Sequence, residues 1–370
     1  MKNFQAGSPI GVGIIGAAPG RSWSAIAHIP ALQSLSDYKL VALSTTRLET
    51  AQAAAKALGV PQAYGHHAAL IANPEVDLVV VTVKVPHHLE LVSAALDAGK
   101  MVYCEWPLGN GLQEAIAMAE HARRLGVRTI CGTQARFSPA VDYVAELIRD
   151  GYVGEVLSST LIGSGVQWGA FTDPANAYTA DQKNGATLLS IPLGHALDAL
   201  RHILGDFSEI SATLAHRRNS ILSLPDKIVH PLTAADQILV NALHQNGAAT
   251  QILYRGGMSR GTNMMLEIVG TEGDLRLTGD FGHLQMCALA LHGGRGDDTS
   301  LQPLTVPPKH RWAPDNLQGP AINVGQLYAR FAADLRDGTH LTPDFDSAVQ
   351  GHRILEAIER SADLGNRVKL

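Results

Sequence analysis

"IGVGIIGAAPGRSW", residues 10–23, runs an unbroken apolar segment into a glycine and then into a long loop of small residues. The segment has no polar alternation, which is the pattern of a strand buried on both faces. Gly16 stands where the chain must turn sharply after that strand, and such a turn lets backbone approach a pyrophosphate at a helix N-terminus. A second glycine is usual two residues on, but Ala18 occupies that place. The loop then continues through Gly20, Ser22 and Trp23 before the helical stretch "SAIAHIPALQSL" (24–35). The pattern reads as a dinucleotide-binding loop, with a purely structural tight turn as the alternative.

Outward from this loop, "KLVALST" (39–45), "VDLVVVTV" (76–83), "KMVYCEW" (100–106) and "RTICGTQ" (128–134) repeat the buried-strand pattern. Between them lie the amphipathic stretches "LETAQAAAKALG" (48–59), "HHLELVSAALDAG" (87–99) and "LQEAIAMAEHARRLG" (112–126), each ending in glycine as helices with a left-handed C-cap do. The alternation predicts an α/β domain, a doubly wound parallel sheet over residues 1–133. After "QARFSP" (134–139) the pattern changes. Ser138 and Pro139 read as the N-cap and first residue of a helix, and strand-like segments with polar alternation follow, with a hairpin expected around Glu272 and Gly273. One helix interrupts them at "PLGHALDALRHILGD" (192–206) and two more close the chain near 322–337 and 344–363. Residues 134–370 are therefore expected to form an α+β domain with a largely antiparallel sheet that binds substrate. Its helices are too few to cover both sheet faces, so a homodimer is expected through the uncovered one.

At 370 residues the chain exceeds the size at which one core keeps growing, which agrees with two domains. Its net charge of −5, with 17% charged residues and no long like-charge run, excludes a nucleic-acid footprint. Cys104, Cys131 and Cys287 have no metal-ligand spacing and read as reduced core residues. The paired histidines His66–His67 and His87–His88 make no convincing metal set. The N-terminus lacks the long apolar stretch of a signal peptide and no segment approaches a membrane span. A cytoplasmic location without a membrane partner is the expectation.

The second strand ends in "STTR", Ser44 to Arg47, where an NAD site usually places a carboxylate on the ribose. Hydroxyls followed by an arginine suit a 2′-phosphate better, so NADP is favoured over NAD; Arg47 as a solvated helix-start residue is the competing reading.

Several segments together resemble the Gfo/Idh/MocA oxidoreductase family. They are "GIIG" (13–16), Pro86 and His88 followed by "ALDAGK" (95–100), Glu105 and Pro107, "RFSP" (136–139) and "GHALD" (194–198). The long glycine loop ending in Trp23, Trp106 in place of the lysine of the usual Glu-Lys-Pro, and the form of the later motif resemble the branch containing the fungal galactose-regulon repressor. The resemblance implies a Rossmann domain followed by an α/β domain with an open-faced sheet that often forms a dimer interface. It also implies that Pro86, His88, Glu105, Trp106 and Pro107 contribute to the cofactor site.

In dehydrogenases of that family the lysine holds the substrate hydroxyl; an indole has a donor N–H but no proton equilibrium near neutrality, so Trp106 is expected to serve as a wall. Ile191 replaces an aspartate common in relatives, which leaves His195 as the first candidate for acid–base catalysis. A satisfied helix histidine is the bland alternative. Lys183 is a supporting candidate or a solvated loop residue. Trp168 with Gln167, and Tyr178, are expected to line a carbohydrate pocket, and Gln134 and Arg136 to reach its mouth. The expected activity is NAD(P)-dependent hydride transfer to or from a carbohydrate or polyol-like hydroxyl. The alternatives are a glycosidase acting by transient sugar oxidation and a non-catalytic nucleotide-binding regulator.

Overall fold

A computed structural model describes residues 8–370. In its first third, strands β1 (Ile10–Ile15), β2 (Tyr38–Ser44), β3 (Gln62–Tyr64), β4 (Leu78–Val81), β5 (Met101–Glu105) and β6 (Thr129–Gly132) alternate with helices. These are α1 (Ile29–Ser34), α2 (Leu48–Leu58), α3 (His67–Ile71), α4 (His88–Asp97) and α5 (Leu112–Leu125). The strands form a parallel sheet of order β3-β2-β1-β4-β5-β6. Every residue of β1 and β4 is buried, as their continuous apolar sequence requires when helices cover both faces. The strand order reverses between β1 and β4, so the carboxyl ends of these strands flank the crevice where such sheets bind ligands.

The rest of the chain contributes α6 (Pro139–Arg149), β7 (Val156–Gly165), β8 (Phe171–Thr172), α7 (Gly194–Leu204), β9 (Phe207–Ala215), β10 (Ser220–Ser223) and β11 (Ile228–Pro231). Next come β12 (Gln237–His244), β13 (Ala249–Gly256), β14 (Met264–Gly270), β15 (Gly273–Gly279), β16 (Leu289–Arg295) and β17 (Gln302–Pro303). Helices α8 (Ala321–Asp337) and α9 (Phe345–Leu364) and strand β18 (Val368–Lys369) close it. A nine-stranded sheet runs β17-β16-β15-β14-β7-β13-β12-β9-β18, and β8, β10 and β11 form a small sheet of their own. In the large sheet β7 and β13 are parallel and the other pairs antiparallel. Burial alternates along β12 and β13. Leu239, Leu253, Ile162 and Met265 are cross-strand neighbours in one row, all on the more exposed face.

The chain divides into two compact units: residues up to Gln134 with Arg311–Gln350, and Ala135–His310 with Gly351–Leu370. The segment carrying α8 thus packs with the parallel sheet, although its sequence follows the antiparallel half. Within the first unit, Asp334 at the end of α8 is closed from solvent and folds the following turn around itself. Its Oδ2 accepts from the Leu341 and Thr342 N–H groups (2.9 and 2.7 Å) and from Thr342 Oγ1 (2.7 Å), and its Oδ1 accepts from Thr339 Oγ1 (2.6 Å).

Three segments differ from their sequence patterns. The stretch 24–35 begins as a wide π-type turn, Ser24–His28, before α1. Another wide turn, Leu189–Leu193, containing Pro192, precedes α7, because proline has no N–H for the regular helical bond. Residues 283–288 read as part of a strand but form a loop, with β16 starting at Leu289.

Burial pushes the Asp334 carboxyl up, but its hydrogen bonds outweigh this and hold it below the usual carboxylate range. Asp334→Ala, which strands four donors, should lower unfolding free energy by about 3 kcal/mol, read as a shift in the urea midpoint. Because the folded pKa is depressed, the wild-type contribution should be complete above the unfolded carboxyl pKa of about 3.9 and vanish as pH falls through the lower folded value.

Candidate functional site

In the first unit the glycine loop follows directly from β1. Gly16 has φ 94°, a left-handed conformation that favours glycine, and a Cβ there would come within 2.7 Å of Val83 Cγ1. The loop beyond it is fixed by serines. Ser22 Oγ accepts from the Ala18 N–H (2.9 Å) and lies 2.9 Å from both the Ala18 carbonyl and Ser24 Oγ. Ser24 Oγ and Thr82 Oγ1 each donate to the Gly16 carbonyl at 2.7 Å. Gly20 has φ 72° and open space around it. Two buried polar atoms have no protein partner here: Trp23 Nε1, and Ser44 Oγ at the end of β2. The Ser44 carbonyl itself accepts from the Gly16 N–H at 3.0 Å, which joins the end of β2 to the glycine turn.

A nicotinamide dinucleotide fits this arrangement. Its phosphate and ribose oxygens are partners of the kind that these two atoms lack, and an unmatched buried polar group is otherwise unfavourable. Beyond Ser44, the Thr45 hydroxyl is engaged locally, 2.6 Å from Thr50 Oγ1 and 2.9 Å from the Arg47 carbonyl. Arg47 is exposed at the N-cap position of α2.

The end of β5 carries Glu105, Trp106 and Pro107. Glu105 is locked in place: its Oε1 lies 2.8 Å from His28 Nε2, and its carboxylate sits where a side chain on Gly132 of β6 would otherwise lie, with a Cβ there only 2.6 Å from Oε1. His28 is fully buried, and its Nδ1 lies 2.7 Å from the Tyr328 hydroxyl of α8. Tyr38 of β2 in turn donates to the Tyr328 carbonyl at 2.7 Å. Trp106 is 5% exposed, joined to Pro107 by a cis peptide. His88 braces two backbone segments. Its Nε2 is 3.0 Å from the Val83 carbonyl and its Nδ1 3.0 Å from the Pro107 carbonyl. Burial lowers its pKa. Pro86 is exposed, in the short turn Val85–His87 before α4. Gln134, just after β6, is buried with no protein partner for its Oε1.

In the second unit, His195 is the second residue of α7 and 3% exposed. Asp198, one turn later, binds Arg136 through both carboxylate oxygens: Nε donates to Oδ2 at 2.7 Å and an Nη donates to Oδ1. Arg136 therefore anchors α7. Trp168 donates its Nε1–H to the Ala186 carbonyl (3.0 Å) and its ring lies 5.7 Å from that of His283. His283 is buried, its Nε2 has no protein partner, and burial, with the neighbouring His195, pushes its pKa down to about 3. Tyr178 and Lys183 meet in an open recess of about 570 Å³ with Asp181 and His230, whose lining includes neither His195 nor Trp168. The Gln167 side chain accepts from Thr172 Oγ1 at 3.1 Å.

The sequence marks the glycine loop, the strand-end turn and His195 as candidates, and does not mark His28, Tyr328 or His283. No local signal marks them, because His28 and Tyr328 meet across 300 positions and His283 lies in a segment that resembles a strand. Among the described residues no group of three or more His, Cys, Asp or Glu could hold a metal ion, and no helix is long and apolar enough to cross a membrane.

Residues 10–133 match the oxidoreductase family with an NAD-binding Rossmann fold, and residues 139–279 match the C-terminal domain of Gal80p. The dehydrogenase aclE of Aspergillus oryzae is 31% identical over 96% of this chain and 97% of its own. The fold is also that of a super-repressor mutant of Gal80p from Saccharomyces cerevisiae (TM-score 0.87, 24% identity, 98% of each chain). A levoglucosan dehydrogenase in complex with NADH and levoglucosan is similar too (TM-score 0.85, 21% identity, 98% of this chain and 99% of that one). The chain belongs to the Gfo/Idh/MocA oxidoreductase family, near the branch that contains Gal80.

Proposed function

We propose that this protein is a nicotinamide-dependent dehydrogenase of a carbohydrate or polyol-like hydroxyl, with NADP(H) preferred. The observation that carries this reading is the turn at Gly16 together with two buried polar atoms, Trp23 Nε1 and Ser44 Oγ, that lack protein partners. The bound cofactor supplies the hydride chemistry. The first unit binds and orients it, while the second recognises substrate and dimerises.

His195 exchanges the proton of the substrate hydroxyl. His283 beside it, with its pKa pushed down to about 3, stays neutral near physiological pH, so His195 is the histidine of the pair for this role. Trp168 presents an aromatic surface suited to the apolar face of a sugar. Trp106 shapes the pocket as a wall. The dehydrogenase relative and the levoglucosan complex support the classes of reaction and substrate. A second reading, a nucleotide-binding regulator, is favoured by the indole at position 106 and by the match of residues 139–279 to the Gal80p domain. A glycosidase that oxidises its sugar transiently would use the same residues and would release free sugar.

Three measurements test these assignments. Arg47→Ala should narrow the preference for NADPH over NADH in calorimetric titration, by roughly 1.5 to 3 kcal/mol for a lost charge-assisted contact; clear NAD preference in the wild type would refute the NADP assignment. In a screen of sugars and glycosides followed by nicotinamide absorbance, His195→Ala should lower turnover roughly 100-fold or more and leave nucleotide affinity intact. Full retained turnover would move the proton carrier to Lys183, and nucleotide binding without any turnover in the wild type would favour the regulator. Light scattering at micromolar concentration should give a dimer that Leu253→Asp disrupts, because the row Leu239–Leu253–Ile162–Met265 offers an apolar surface for a second copy.

A further inference from the structure

Gln167 and Trp168 are consecutive in the short turn Val166–Trp168 that follows β7, yet their side chains have different surroundings. The Trp168 ring lies against that of His283. Gln167 instead lines a separate recess of the second unit, about 470 Å³ in volume, whose lining includes neither His195 nor His283. Small-molecule sites have volumes of this order. Its other walls come from Phe171 in β8, Asp173 just after it, Arg218 between β9 and β10, and Gly257 and Met258 after β13. One side is bare backbone: a Cβ on Gly256 would lie 2.1 Å from the Trp168 carbonyl oxygen, and one on Gly169 would lie 2.5 Å from Gly257 Cα. Gly257 has φ 84°, a conformation that favours glycine, and its N–H donates to the Gly165 carbonyl at 2.7 Å.

A buried carboxylate holds Arg218 in this wall. The Asp236 side chain is closed from solvent and accepts from the Arg217 N–H and from Arg218 Nη1, both at 2.6 Å. Burial pushes its pKa up, but these bonds outweigh burial and hold it below the usual carboxylate range. Arg218 Nη1 also lies 3.4 Å from the Gly256 carbonyl oxygen. The Nε and Nη2 donors make no hydrogen bond among the described residues, and the side chain is 39% exposed. Gln167 Oε1 accepts from Thr172 Oγ1 at 3.1 Å, which leaves the amide nitrogen as a donor. Asp173 Oδ1 accepts from the Ala175 and Asn176 N–H groups (2.9 and 3.1 Å), and Oδ2 accepts from Asn176 Nδ2 at 2.7 Å, so Oδ2 keeps a lone pair. Beside these polar groups, Phe171 is 57% and Met258 40% exposed.

We propose that this recess is a binding site for a neutral pyranoside, with Phe171 as the stacking platform and Arg218, held by Asp236, as the principal donor. A sugar ring has an apolar C–H face that an aromatic ring covers, and hydroxyls that both donate and accept. One hydroxyl can therefore meet Asp173 while others meet Arg218 and Gln167. The Arg218 charge is already matched by Asp236, and an anionic ligand would bring its own charge against Asp173, so the chemistry favours an uncharged sugar. The site shares no side chain with the hydride-transfer residues assigned above and needs no nucleotide.

The test is saturation-transfer NMR on the full chain, without nucleotide, titrated with methyl β-D-glucopyranoside, methyl β-D-galactopyranoside, maltose and cellobiose. Wild type should bind at least one of them at millimolar concentration. Phe171→Ala, at an exposed position, should weaken that binding about tenfold. Arg218→Lys, which keeps a cation for Asp236 but loses the planar fork of donors, should weaken it roughly fivefold with an unchanged circular dichroism spectrum. Wild type that binds none of the four sugars overturns the proposal, as does binding of glucuronate or glucose 6-phosphate alone. Unchanged affinity in Phe171→Ala overturns it even if Arg218→Lys fails to fold, and so does binding that is lost in His195→Ala and kept in Phe171→Ala. Because no nucleotide is present, each of these failures leaves the cofactor reading standing.

Discussion

The hydrogen bond between His28 and Glu105 holds together parts of the chain that no short-range interaction could join. His28 closes the wide turn that follows the glycine loop, Glu105 ends β5, and Tyr328 brings α8 to the same point. Through Ser24, the turn is also tied to the Gly16 carbonyl. The conformation of the loop and the position of the strand-end carboxylate are thus set by one buried polar chain. Such a chain leaves little freedom, since each member is the partner of another and loss of one leaves a buried group unmatched. Gly132 belongs to the same constraint, because a side chain there would occupy the space of the Glu105 carboxylate.

The second unit fixes its own residues differently. Arg136 grips Asp198 with two hydrogen bonds, and this pair sets the rotation of α7 and hence the direction of His195. Trp168 is fixed by its indole N–H. Lys183 and Tyr178 lie in an open recess among short turns.

The sheet of the first unit was legible because β1, β2, β4 and β5 are continuous apolar runs separated by helical periods, and Gly16 marks the turn that only a strand-to-loop junction needs. Ser138–Pro139 at the start of α6 and the hairpin around Glu272 were legible from local chemistry in the same way, the turn falling one residue before the expected Glu272–Gly273. What could not be read was set by tertiary contact. β3 spans only Gln62–Tyr64, too short for a periodicity. The segment 283–288 has the composition of a strand, yet just before it Gly282 packs so close to the Ser164 carbonyl that a Cβ would lie 2.0 Å from it. In that loop, His283 is directed against Trp168.

Because the first unit draws on residues up to Gln134 and again on Arg311–Gln350, it cannot be completed in the order of synthesis. When Gln134 leaves the ribosome, His28 and Glu105 exist but the hydroxyl that fills the other side of the imidazole does not. At roughly 5–20 residues per second, Tyr328 follows after about 10 to 40 s. Through that interval the parallel sheet carries a buried histidine without its tyrosine and an apolar surface without α8, so the nascent chain has a prolonged need for protection from aggregation. The entire antiparallel sheet emerges in the meantime, and the half of the protein encoded second is therefore free to fold before the half encoded first is finished.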